Sequence, residues 1–288
     1  MKNLRSLFAL GGCLLLASSF AACSDDKEDP EPQLPDDNEP GVTEPANLSV
    51  NIWGGQAITE GISADDFVDG WSVTFDTFYV GVEKVRITHQ IGEGEESEEI
   101  VLQPLLTPKV VDLAAARDPL TLASIETNQG TLLSMDFTIA PIGEHHQGVG
   151  LDVDTVEFLQ NAGVSGLVSG ALIHDDGVVN FEMRFGGSST YTGCGLGTEL
   201  GESGEVEITI RGESLFRDSL ISDEAPLRGA LFAEISTGGT VTSTELANFE
   251  LSSEHGYEIG DAVVESLYDF IYEQFQRFGR VNGDGSCE

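Results

Sequence analysis

"WSVTFDTFYVGVEKVRITHQ", residues 71–90, carries the strongest strand signal in the chain. Trp71, Val73 and Phe75 share one side. Phe78, Val80 and Val82 continue the alternation in a new phase, and Val85 and Ile87 in a third. A period of two is that of a strand with one buried face. One extra residue in a strand flips every later side chain to the other face. The run therefore predicts a long strand with a bulge or bend near Asp76-Thr77 or Glu83-Lys84.

Shorter runs of the same kind surround it. "NLSVNI" from residue 47 predicts a first strand, and "GISADDFVDG" a loop with Asp65, Asp66 and Asp69 close together. "GEGEESEE" reads as a charged hairpin tip, with "EIVLQPLL" and "KVVDLA" as strand pieces beyond it. "DPLTLASIETNQG" reads as a connection into "TLLSMDFTIAPI", where Leu133, Met135, Phe137 and Ile139 alternate. "VSGALIHDD" and "GVVNFEMRFGG" form a hairpin with Asp176-Gly177 at the turn. "GLGTELGESG", 195–204, reads as a mobile glycine-rich loop without the lysine a phosphate loop needs. "GEVEITIRGESLF" adds a strand with Val206, Ile208 and Ile210 inward. With 34 glycines punctuating such runs, the expected fold is mainly β, an immunoglobulin-like or related antiparallel β-sandwich. The run of strands resembles the sandwich domains of bacterial surface lipoproteins and carbohydrate-binding modules.

The last fifth changes period. "SDEAPLRGALFAEI" reads as a short helix capped by Ser222. "EIGDAVVESLYDFIYEQFQRFG" reads as a longer one capped by Asp261 and stopped by Gly279. Val263, Val264, Leu267, Phe270, Ile271, Phe275 and Phe278 fall on one stripe at helical spacing, as a face packed on the sandwich requires.

The N-terminus has a different logic. Lys2 and Arg5 precede the apolar stretch "LFALGGCLLLA", which is too short to span a membrane, and "SSFAAC" brings small residues up to Cys23. This layout resembles the lipobox signal of bacterial lipoproteins. The resemblance implies that the signal is cut before Cys23, that its sulfur receives a diacylglycerol, and that the new amine is acylated. Cys13 ends a similar motif, but a cut there leaves too short an apolar run. Residues 24–47 hold nine Asp or Glu, five Pro and one Lys, with almost no large apolar side chain. Such a segment cannot bury enough surface to offset its ordering entropy, and proline and self-repulsion extend it. The expected plan is thus a signal at 1–22, a tether at 23–47, a sandwich at 48–216 and a helix–loop–helix element at 217–288.

The formal charge of −37 becomes −39 once Lys2 and Arg5 are removed. Nucleic acid and anionic lipid both want basic patches, so neither is an expected partner of the body. The expected partners are the membrane, through the anchor, and an envelope protein or glycan. Cys194 and Cys287 are the two cysteines left in the body. An even pair without CxxC spacing in an exported chain predicts a disulfide.

Two metal readings compete with a plain binding role. "EISTGGTVTSTE", 234–245, resembles an EF-hand loop, with Gly239 sixth, Val241 eighth and Glu245 twelfth. The resemblance implies calcium held by Glu234, Ser236, Thr240, Thr242 and Glu245, a set with only two carboxylates. The alternative site is His145 and His146, joined by His89, His174, Met183 or nearby Glu144, where imidazoles suit copper or zinc. No G-x-S-x-G elbow or spaced Ser–His–Asp set points to catalysis. The expected role is non-enzymatic binding or scaffolding by a lipid-anchored envelope protein, with a periplasmic calcium- or copper-binding lipoprotein as the alternative.

Overall fold

A computed structural model describes residues 44–287 apart from 93, 95, 96, 284 and 286. The expected signal, Cys23 and nearly all of the tether lie outside the described residues. The body opens with β1 (Pro45–Trp53) and the short helix α1 (Gly55–Thr59), and the long alternating run then forms β2 (Ser72–Ile91). There follow β3 (Glu98–Leu102), β4 (Lys109–Asp112), β5 (Leu120–Asn128), β6 (Gly130–Ile139) and β7 (Gln147–Val149). Helix α2 (Val153–Ala162) leads to β8 (Gly166–His174), β9 (Gly177–Phe185), β10 (Ser189–Leu200) and β11 (Ser203–Ile210). The C-terminal part contributes α3 (Ala230–Ile235), β12 (Thr240–Thr242), α4 (Ser243–Asn248), α5 (Leu267–Phe275) and β13 (Gly279–Val281).

β2 is the hub. It pairs with β8 along Ser72–Val80, β4 along Tyr79–Val82, β6 along Val82–Gln90 and β3 along Ile87–Ile91. Its ladder slips between Phe75 and Thr77 and again between Glu83 and Arg86, so both sequence phase changes are bulges. Val73, Phe78, Val80, Val82, Val85 and Ile87 are all buried as a result. Lys84 takes a left-handed φ of 56° inside the second bulge, with its side chain on the surface.

The strands form two sheets. One has nine strands, built on the path β10-β6-β2-β8-β9-β12 with β3, β4 and β7 added. The other has four, in the order β13-β11-β1-β5. Leu48, Val50 and Ile52 of β1 and Val206 and Ile208 of β11 share one core with Phe78, Phe137 and Phe181 of the large sheet. The fold is mainly β and sandwich-like, as expected. Three of its pairings are parallel rather than antiparallel: β1 with β11, β4 with β7, and β9 with β12.

Three local expectations are corrected, and one helix is new. "LTLASIETN" is not a connection but β5, antiparallel to β1. The glycine-rich stretch 195–204 is mostly strand, the end of β10 and the start of β11 with Gly201-Glu202 between them, and two bulges break the β10 ladder. The β8–β9 turn is Asp175-Asp176, since His174 pairs with Gly177. Helix α2 was not anticipated. Asp152 caps it by accepting the Thr155 N–H at 2.8 Å, and Gly163 ends it in the left-handed region.

The C-terminal stretch is woven into the sandwich. β12 adds to the edge of the large sheet, and β13 to that of the small one. α5 begins at Leu267, capped by Ser266 and Asp269, and not at Asp261. Val263 is solvent-exposed outside the helix. Leu267, Phe270, Ile271 and Phe275 of the helix and Phe278 beyond it are buried, at about 1.5–3 kcal/mol each. Phe275 stacks on Phe185 with ring centroids 4.2 Å apart and meets Phe278 at 4.5 Å with the rings tilted by 43°. Gly166 leaves room for this, since a Cβ there would sit 2.6 Å from the Phe275 ring. Ser222 caps only a turn, its hydroxyl accepting the Glu224 N–H, and the first C-terminal helix starts instead at Ala230.

Candidate functional site

Cys194 on β10 and Cys287 are joined by a disulfide, closing a loop of 93 positions. Cys194 is fully buried, so the bond fixes the chain end to the sheet from inside the core. This is the pairing the sequence predicts.

The 234–245 loop has part of the expected shape. Helices α3 and α4 flank it, Gly239 turns with φ 77°, and Val241 is buried in β12. β12 lies parallel to β9, with Val241 opposite Phe181. The expected ligands are placed differently. Glu245 is the third residue of α4 and closes a capping box. One of its carboxylate oxygens accepts the Thr242 N–H at 2.8 Å and the Thr242 hydroxyl at 3.2 Å. The other accepts the Thr237 hydroxyl at 2.6 Å. These hydrogen bonds, led by that from Thr237, hold the carboxyl below the usual range. Glu234 and Glu245 line one open groove of about 360 Å³ with Thr237, Asn248 and Phe249. Thr240 is exposed, and the Ser236 hydroxyl is buried without a partner among the described residues. Thr242 and Glu245 are thus spent on starting a helix.

The histidines do not converge. His145 is exposed and His146 buried, with His146 Nδ1 accepting the Gly143 N–H at 3.0 Å. His146 lies against Gly81 of β2. His89 sits eight residues further along the same strand, about 26 Å at strand rise. His174 is at the far end of β8, stacked on Trp71 at 5.0 Å. The joint copper or zinc site is therefore not formed. Burial lowers the affinity of both His89 and His146 for a proton. Among the described residues, no three His, Cys, Asp or Glu side chains gather as a metal cluster.

A cluster missed from the sequence lies where β11 ends and β13 begins. Arg280 and Arg211 flank the carboxylate of Asp223, and Arg217 adds its charge from further off. An Arg280 Nη2–H donates to Asp223 Oδ2 at 2.6 Å, and Arg211 Nη1 lies 3.8 Å from the same oxygen. Arg211 Nε donates to Glu213 at 2.8 Å, while Arg217 Nη2 lies 4.0 Å from that carboxylate. Arg217 Nη1 donates to the Ala225 carbonyl, and Arg280 Nη1 to those of Arg277 and Gly279. The three guanidinium side chains are 13–26% exposed, but that of Asp223 is 67% exposed. Partial burial would raise the Asp223 carboxyl. The Arg280 hydrogen bond and the three cationic charges outweigh it and hold the group below its ordinary value. Burial lowers Arg217 despite the neighbouring acids. The sequence signal was the bunching of arginine. Five of nine, Arg211, Arg217, Arg228, Arg277 and Arg280, fall in one quarter of an acidic chain.

Comparison with protein-family models, curated proteins and solved structures finds no match to this chain.

Proposed function

We propose that the chain is a lipid-anchored envelope protein. Acyl chains on Cys23 hold it to the outer membrane, and its β body has a non-catalytic binding or scaffolding role there or at the cell surface. The observation that carries this reading is the order of segments. A short apolar run ends in small residues at Cys23, an acidic proline-rich stretch follows, and β1 begins at Pro45. Two or more acyl chains suffice for stable attachment, at about 0.8 kcal/mol per buried CH₂. A stretch that cannot fold then lets the body stand clear of the bilayer.

The body suits a tethered post. The start of β1 is pinned by hydrogen bonds from the Asn47 N–H to the Glu202 carbonyl and from the Gln129 N–H to the Glu44 carbonyl. The disulfide fixes Cys287 to β10. No helix among the described residues is long and apolar enough to cross a membrane. The test is metabolic labelling with radioactive palmitate, with and without globomycin. Label on the protein and a larger precursor under the inhibitor are expected. Loss of both in Cys23→Ala assigns them to that sulfur. An unlabelled protein of unchanged size would remove the reading.

A further inference from the structure

The Arg211–Arg217–Arg280 cluster is unusual in a chain of charge −37, whose general field repels anions. Three guanidiniums from separate segments act on one carboxylate: Arg280 by a hydrogen bond, Arg211 at ion-pair distance and Arg217 through its charge at longer range. Arg211 follows β11, Arg217 follows the turn Gly212–Phe216, and Arg280 is in β13. Each is largely covered and held by a carbonyl or a second acid, so the cationic wall is preset. Among the described residues, the hydrogen bond to the Asp223 carboxylate comes from Arg280. The exposed Asp223 side chain sits on a loop outside helix and strand, between exposed Ile221 and Glu224. Guanidinium forks recognise carboxylates with paired hydrogen bonds.

We propose that this cluster is a carboxylate-binding site, and that Asp223 is its built-in occupant, displaced when the carboxylate of a sugar acid enters. The inference adds a ligand class to the binding role proposed above and rests on that reading only for where the ligand is met. The cost of displacing Asp223 weakens the apparent affinity by the fraction of time the site is open.

The test is calorimetric titration of the full chain in detergent at constant ionic strength, with D-glucuronate, glucose and inorganic phosphate as probes. Glucuronate is expected to bind saturably at one equivalent, and glucose not at all. Asp223→Asn removes the occupant and is expected to tighten glucuronate about tenfold, as for a site nine-tenths closed. Arg280→Gln is expected to abolish binding, and Arg211→Gln serves as the second variant if the first fails to fold. If the arginines only pin the loop, Asp223→Asn lowers the melting temperature and binds no glucuronate, which overturns the proposal. Phosphate bound in preference to glucuronate overturns the assignment to a carboxylate. Neither result bears on the anchor, so the two proposals fail separately.

Discussion

Thr242 shows how one residue decides what a loop does. Its hydroxyl accepts the Glu245 N–H at 3.4 Å, and its own N–H and hydroxyl are held by the Glu245 carboxylate. Thr242→Ala is expected to cost about 1 kcal/mol, measured as a lower denaturant midpoint at unchanged slope. The buried histidines give a second residue-scale prediction. His89 and His146 bind protons less readily folded than unfolded. Their contribution is complete above the unfolded value, near 6.5, and is lost as pH falls below it toward the folded values. Melting curves from pH 8 down to pH 5 should show this loss, and His89→Leu should reduce its slope. An identical pH profile for the variant would contradict the assignment. The capping role of Glu245 was hidden in the sequence because a capping box and the end of a calcium loop both ask for an acid there. Asp223 was hidden because its partner Arg280 is 57 residues away.

At the scale of elements, β2 and its neighbours explain why the sandwich was legible. Each bulge shifts the apolar phase by one, so Phe78 and Val85 announce the breaks in the sequence itself. β5 and β10 were not legible, for two different reasons. β5 mixes small and polar side chains, and its membership rests on backbone pairing with β1. β10 carries glycine where its ladder slips. Helix α2 left a weak pattern because only Leu159 of its residues is buried, while Val153 and Phe158 face solvent. Two substitutions test the hub. Lys84→Gly removes the cost of a left-handed side-chain-bearing residue in the second bulge and should gain about 0.5–1 kcal/mol. The Lys84–Glu83 contact it removes is a surface pair of little worth. Gly170 of β8 lies opposite Phe75, beside the first bulge. A Cβ there would sit 2.0 Å from the Thr74 carbonyl oxygen and 2.8 Å from the Phe181 ring. Gly170→Ala should therefore cost about 1–3 kcal/mol or more by overpacking, read from the same denaturant titration.

On the scale of the whole molecule, closure depends on the C-terminal stretch returning to both sheets. β12 and β13 extend the two sheets, and Cys287 bonds to Cys194. A loop of 93 positions is worth about 4–5 kcal/mol on the chain-entropy account, so the Cys194→Ala/Cys287→Ala double variant should lose a large part of its stability. The acidic composition and the cysteine pair were readable because they need no three-dimensional information. The arginine cluster was not, since it exists only once β11, β13 and the 217–229 loop are assembled. The central claim is attachment through Cys23, and intact-mass and peptide mass spectrometry of the mature native protein tests it most directly. The account predicts a first residue of Cys23 bearing the added mass of a diacylglyceryl group and an amide-linked acyl chain. A mature chain that begins upstream of Cys23, or begins there with an unmodified thiol, would contradict it.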